Sequence, residues 1–248
     1  MNKLSVITVT YNAEATIERT LQSVAAQTYP HMEHIIVDGN SRDNTVELIK
    51  RYDNDKMNWI SEPDNGLYDA MNKAAAMVTG DYLCFLNAGD TFHTSETVEK
   101  MMQTMKPNEN PDIIYGETAI VDNNGTFLHM RRLKAPEVLT WKSFKQGMLV
   151  CHQAFIVSKV LFEPYNLHHR FSSDFDWAIR MMRRAKSIHN THLTLINYLN
   201  EGLTTANRKA SLKERYRIMA NYYGQISTAL NHLWFAMRTV VDKIKRQK

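Results

Sequence analysis

The chain is poor in structure breakers and in cysteine: 9 Gly, 6 Pro and 2 Cys in 248 residues. So few breakers leave little room for a long flexible linker. Cys84 and Cys151 lie in apolar surroundings without metal-ligand spacing, and read as reduced core thiols of a cytoplasmic protein. No run approaches the roughly 20 apolar residues that span a bilayer. The first residues, MNKLSVITVTYN, alternate like a strand and lack the apolar block of a signal peptide. No G-x-G-x-x-G follows that strand, which argues against a dinucleotide-dependent dehydrogenase. The absence of G-x-x-x-x-G-K-[ST] argues against a P-loop NTPase. Net charge is also lacking outside the tail: residues 238–248 hold five basic residues against Asp242, which accounts for the whole formal charge of +4. A basic tail on a neutral body points to a local anionic contact and away from a nucleic-acid-binding protein.

What is present is an ordinary globular composition, 44% hydrophobic and 23% charged, enough for one large domain or two small ones. The chain is organised around Tyr82–Asp90, YLCFLNAGD. Its apolar run reads as a strand buried on both faces, ending in an abrupt polar turn. Before it, LSVITVT (4–10), MEHIIVD (32–38) and a short segment at Trp59-Ile60 read as strands. Helical patterns fall at 13–27, after an Asp43 or Asn44 cap, and at 67–78. This βα alternation predicts an α/β fold, a parallel sheet with helices on both faces. Right-handed crossovers bring the strand ends to one edge. Thr8, Tyr11 and Asn12, Asp38, and Asn87–Asp90 would converge there, where open α/β sheets bind ligands.

After Asp90 the order is less regular. A helix is expected over 95–105 behind a capping box, a strand over 112–121, a tight turn at Asp122–Gly125 and a return strand to Met130. Arg131-Arg132-Leu133-Lys134 reads as a solvated basic run that is also able to hold diphosphate oxygens. A strand over 149–157 is interrupted at His152-Gln153, and His152 reads as a structural histidine. Ser173 caps a helix to Arg184 with Asp174 and Asp176 in its first turn. A strand-like stretch covers 187–199. From Leu212 to Lys245 the apolar stripe predicts one helix about 50 Å long. Its first half is expected to pack on the core. Its second half, with Trp234, Phe235 and the basic tail, is left between core packing, contact with anionic lipid and a dimer interface.

With these residues placed, the chain resembles an inverting family 2 glycosyltransferase of the GT-A fold. The resemblance rests on VITVTYNAEATIERTLQSVAAQTYPHMEHIIVDGNSRDNT, SEPDNGLYDAMNKAAAMVTGDYLCFLNAGD and SSDFDW, and covers about residues 1–205. It implies a Rossmann-like mixed sheet flanked by helices, with a donor half at 1–92, an acceptor half at 93–205 and a helical extension at 206–248. It implies a nucleotide-sugar donor, UDP-sugar favoured and GDP-sugar possible, and a glycan or lipid-linked saccharide acceptor. It implies a cytoplasmic protein, with a peripheral position at the inner membrane face left open.

Carried over residue by residue, Thr8, Tyr11 and Asn12 match the donor-nucleotide loop. Asp38 matches the acid that reads the base, expected at a solvent-open rim, and Asp64 lies in a loop that lines the donor. Asn87, Ala88, Gly89 and Asp90 match the metal-binding D-x-D segment. Asn87 stands in place of its first carboxylate, so a divalent Mn²⁺ or Mg²⁺ would be held through Asp90 and the donor diphosphate. Asp174 matches the catalytic base, with Ser173 in place of the preceding Glu and Asp176 as runner-up. The chemistry requires a base because a sugar hydroxyl is a poor nucleophile. The alternatives are a non-catalytic nucleotide-sugar-binding protein of the same fold, kept open by Asn87, and a sugar-phosphate nucleotidyltransferase, for which VTYNAEATIERT lacks the Gly-rich phosphate loop.

Overall fold

Strand β1 (Leu4–Thr10) is buried along its whole length, which is why it is written in aliphatic and hydroxyl side chains with no charged residue. The computed structural model describes residues 1–200 and 208–246. Around β1 the chain lays down α1 (Ile17–Ala25), β2 (Met32–Asp38), α2 (Thr45–Arg51), β3 (Met57–Ser61), α3 (Leu67–Met77) and β4 (Tyr82–Phe85). It continues with β5 (Thr91–Phe92), α4 (Thr97–Gln103), β6 (Ile113–Val121), β7 (Phe127–Met130) and β8 (Phe155–Ser158). Last come α5 (Ser173–Arg184), β9 (Ile188–Leu199), α6 (Arg208–Tyr223) and α7 (Gln225–Arg246).

The strands form one mixed sheet in the order β3-β2-β1-β4-β8-β6-β9-β5, with β7 paired to β6. β1 pairs in parallel with β2 on one side and β4 on the other. The strand order therefore reverses at β1, and the crevice between the C-terminal ends of β1 and β4 is the topological switch point. Beyond β4 the sheet turns antiparallel at β8 and again at β6, while β9 runs parallel to β6. The expected α/β architecture is present.

Several boundaries differ from expectation. Residues 13–16 form a turn in which the Ala13 carbonyl accepts from the N–H of both Thr16 and Ile17, so α1 starts four residues late. The 149–157 strand begins only at Phe155, after a 3-10 turn at His152–Ala154. Ser173 does not cap α5: its hydroxyl donates to the Asn166 carbonyl at 2.9 Å. The 50 Å rod is a helix hairpin. Gly224, at φ +83°, ends α6, and α7 folds back to set His232 edge-on against Tyr216 at 4.9 Å.

The first half of that pattern packs as expected, with Ile218, Met219 and Ala220 buried. Tyr222 donates to Asp176 at 2.7 Å, and Tyr223 stacks on Trp141. On α7, Ile226, Leu230, Leu233 and Trp234 are exposed. Among the described residues no helix is long and apolar enough to cross a membrane. The Glu201-Gly202-Leu203-Thr204 stretch, whose sequence is expected to turn, the 205/206 boundary and the basic side chains from Arg238 onward lie outside the described residues.

Candidate active site

A cleft of about 880 Å³ opens at the switch point. Tyr11, just past β1, Asn87, just past β4, and Asp174, from the first turn of α5, all line it. Asp174 and Asp176 are two residues apart on a helix, so they point about 200° apart. Only Asp174 faces the cleft. Both oxygens of Asp176 are taken by Arg180 Nε at 2.9 Å and the Tyr222 hydroxyl at 2.7 Å, and it fastens α6 to α5.

Asp174 is half-buried and held by one oxygen. Oδ1 accepts from the Tyr68 hydroxyl at 3.0 Å and from the Phe175 N–H at 2.9 Å. Oδ2 has no partner among the described residues. Behind it lies an aromatic stack: Tyr68 on Tyr165 at 5.5 Å, and Tyr165 on the fully buried Trp177 at 5.0 Å. Burial, and then the Asp174 charge, push the Tyr68 phenol well above its ordinary value, so it stays a donor. His152 also lines the cleft and shares a 2.7 Å hydrogen bond with the Tyr165 hydroxyl. Burial pulls its pKa down to about 4, which keeps it neutral.

The expected donor residues divide. Tyr11 and Asn87 reach the cleft. Asn12, at φ +47°, ties the loop after β1 to the loop after β2, accepting from Arg42 N–H at 2.9 Å and donating to Ser41 Oγ at 2.8 Å. Asp64 accepts from the Gly66 N–H at 2.7 Å. A Cβ on Gly39 would lie 2.5 Å from Asp64 Oδ2 and 3.4 Å from Tyr11, so these three loops converge on one spot.

Thr8 is fully buried, not in the donor loop. Its single proton goes to the Leu86 carbonyl at 2.8 Å, so it accepts from His34 Nε2–H at 2.9 Å. Asp38 is not on a solvent-open rim. It is fully buried, and its two oxygens are occupied by Ser41, through N–H and hydroxyl, and by the Ser61 hydroxyl at 2.6 Å. Ala88 and Gly89 sit behind Asn87, outside the cleft lining. Reading the sequence missed Tyr68 and Arg215, which enter from α3 and α6. Arg131, from the supposedly solvated basic run, also lines the cleft.

The model of the family described as "Glycosyl transferase family 2" matches residues 5–163. The chain belongs to that family. It is 31% identical to a PGL/p-HBAD biosynthesis glycosyltransferase of Mycobacterium bovis, over 71% of this chain and 68% of the relative. It is 22% identical to the Escherichia coli UDP-Glc:alpha-D-GlcNAc-diphosphoundecaprenol beta-1,3-glucosyltransferase WfgD, over 98% and 94% of the two chains. Among solved structures it superposes on S. aureus TarS 1-349 in complex with UDP-GlcNAc, with a TM-score of 0.69 at 20% identity, over 88% of this chain and 66% of that one. The UDP complex gives 0.68, over 92% and 65%, so the chain spans just under two thirds of those TarS chains. The GT-A fold and membership of a family of sugar-transferring enzymes therefore stand.

The divalent ion that the resemblance implies does not fit the residues present. Asp90 is 4% exposed, and its two oxygens already accept from Gln153 Nε2 at 2.7 Å and from the Leu199 N–H at 2.9 Å. Burial raises its pKa to about 7, against the opposing pull of those two donors and Arg19. Asn87 is a neutral amide whose buried Oδ1 has no partner. Position 89 admits no carboxylate: Gly89 sits at φ +100°, and a Cβ would meet Leu199 Cδ2 at 2.9 Å. Among the described residues no group of three His, Cys, Asp or Glu side chains is placed to hold a metal.

Proposed function

We propose that this chain is an inverting glycosyltransferase that moves a sugar from a UDP-sugar to a hydroxyl of a lipid-linked saccharide, with Asp174 as general base. The observation that carries the reading is the state of Asp174. One oxygen is anchored by Tyr68 and the backbone, the other has no partner among the described residues, and the residue lines the same cleft as Tyr11 and Asn87. A carboxylate so oriented takes the proton of the acceptor hydroxyl as its oxygen bonds to the anomeric carbon. The bond from that carbon to the diphosphate oxygen breaks on the opposite side, and the nucleoside diphosphate departs. Attack from the Asp174 side inverts the anomeric centre.

Tyr11, Asn12 and Asp64 flank the nucleoside in this reading. Asp38 and Thr8 act from behind as positioning residues, one tying the loop after β2 to β3, the other tying β1 to the end of β4. The donor half is 1–92, the acceptor half 93–205 and the helical extension 206–248. That extension is no mere appendage, because α6 supplies Ser211 and Arg215 to the cleft. The UDP-Glc in WfgD's name and the UDP-GlcNAc bound to TarS favour UDP over GDP. The lipid-diphosphate acceptor in WfgD's name supports a peripheral site at the inner membrane face, with the exposed apolar side of α7 and the basic tail against anionic lipid.

Calorimetric titration with UDP and GDP, followed by NMR of the product's anomeric centre, tests the core of this. The reading expects UDP to bind and the product to have the opposite configuration to the donor. Retained configuration, or binding of neither nucleotide, overturns it. Unchanged binding to anionic vesicles after removal of residues 236–248 overturns the membrane part alone.

A further inference from the structure

The cleft poses a charge problem. It must hold a diphosphate, and the residues at 87, 89 and 90 supply no free carboxylate through which a cation could neutralise it. The charged side chains that do line it are three arginines, Arg131, Arg170 and Arg215, and two acids, Asp69 and Asp174. Asp69 is committed to the start of α3, accepting from the Asn65 N–H at 2.9 Å with Lys73 Nζ 3.9 Å away. Asp174 is anchored to Tyr68. Neither neutralises an arginine: none of the three is in an ion pair among the described residues. We infer that Arg131, Arg170 and Arg215 hold the leaving diphosphate in place of a divalent cation. The inference rests on the UDP-sugar reading above.

The arginines are built for this. Arg131 is oriented by one nitrogen only: Nη1 donates to the carbonyls of Leu133 and Leu149, both at 3.1 Å. Its other two nitrogens make no hydrogen bond among the described residues. Arg215 lies with its guanidinium 5.3 Å from the Phe175 ring, next to Asp174 in sequence, and its buried Nε has no hydrogen-bond partner. A buried, unpaired cationic donor is costly unless an anion fills the site part of the time. Arg170 is exposed, and its backbone is fixed by Glu214, which accepts from the N–H of Arg170 and Phe171. Planar guanidinium forks match phosphate oxygens bidentately, and such fixed positive groups can stabilise charge developing on a leaving phosphate. Arg131 and Arg215 come from elements far apart in sequence, so the cluster forms only when α6 is docked.

The test is calorimetric titration of UDP and UMP into the full chain, in EDTA and in Mn²⁺, for wild type, Arg131→Gln, Arg170→Gln and Arg215→Gln. UDP is expected to bind in EDTA within about threefold of its affinity in Mn²⁺. Each glutamine variant is expected to weaken UDP by about 10-fold or more, as the loss of a charge-assisted hydrogen bond implies, with UMP changed less than about threefold. Arg215→Lys, which keeps a cation over Phe175, is expected to recover part of the UDP preference, and it guards against a glutamine variant that fails to fold. UDP binding that collapses in EDTA, or a UDP-to-UMP ratio unmoved by all three glutamine variants, overturns the arginine assignment while leaving the donor reading intact. Absence of both UDP and UMP binding in either buffer overturns both.

Discussion

Asp90 offers the sharpest contrast between a metal ligand and a buried structural acid. Asp90→Asn keeps the shape and one acceptor but turns an amide N–H₂ toward a donor that the carboxylate accepted. One of the two donors, Gln153 Nε2 or the Leu199 N–H, then loses its acceptor, at about 1–3 kcal/mol. Against this stands the cost of ionising a buried acid. Its folded pKa is about 7, above an ordinary value of 3.8. A raised carboxyl pKa means that the folded state binds the extra proton, so this group's contribution falls as pH rises from about 4 through 7. By linkage, wild type loses about 2–3 kcal/mol from this group between pH 5 and pH 8, and the asparagine variant does not. The variant should therefore equal or fall below wild type at pH 5 and gain about 2–3 kcal/mol on it by pH 8. Urea unfolding at the two pH values reads this directly, as a pH-dependent difference in midpoints. A difference constant to within about 0.5 kcal/mol would refute the reasoning. It would mean that Asp90 is ionised and solvated at both pH values, as a metal-ready ligand would be.

Two further outcomes follow from the same packing. Trp177 is fully buried and carries Tyr165, which carries Tyr68 behind Asp174, so Trp177→Ala should cost about 3–5 kcal/mol in urea unfolding. A cost under about 1 kcal/mol would contradict its place at the centre of that stack. Acid should destabilise the protein well above the carboxylate range, because burial holds His34 and His152 at about 3 and about 4, below the ordinary 6.5. Their contribution is complete above 6.5 and is lost as pH falls toward those values. Glu33 adds to the loss below about 4.5: burial raises its pKa, but bonds from Lys3, Ser5 and Thr79 outweigh that and bring it to about 2. Unfolding midpoints should fall steadily from pH 6.5 to 3.5, and less steeply in His34→Gln; equal slopes would count against a buried neutral His34.

The first half of the fold was legible because its signals are local. β4 is buried on both faces and appears as an unbroken apolar run, β1 and β2 are rich in β-branched residues bounded by polar turns, and the helices between them keep a 3.6-residue period. Tyr11 and Asn87 could be placed at the cleft because a strand's last residues must lie at the sheet edge. Asp38 could not be told from a rim acid, since its hydrogen-bond partners, Ser41 and Ser61, lie on the following loop and at the end of β3. The break at Gly224 was visible as a lone glycine in a helical pattern, but the hydrophobic stripe runs through it and overrode it. The separation of Asp174 from Asp176 was also available: two residues on a helix are opposite faces. Arg215 left no local mark. It reads as one more charge on an amphipathic helix until α6 docks beside α5 and brings it into the cleft.

Sugar transfer by this chain stands or falls on Asp174. The measurement is the rate of UDP release from UDP-glucose and UDP-GlcNAc, with a GlcNAc-diphospho-lipid acceptor, for wild type and Asp174→Asn, alongside UDP affinity for each. The asparagine keeps an acceptor for Tyr68 but takes no proton from the acceptor sugar. We expect turnover to fall by about 10²–10⁴, the usual worth of a general base, with UDP affinity within about threefold of wild type. An asparagine variant that transfers sugar at the wild-type rate, or one whose lost activity is explained by lost UDP binding, would contradict the assignment of Asp174 as the base.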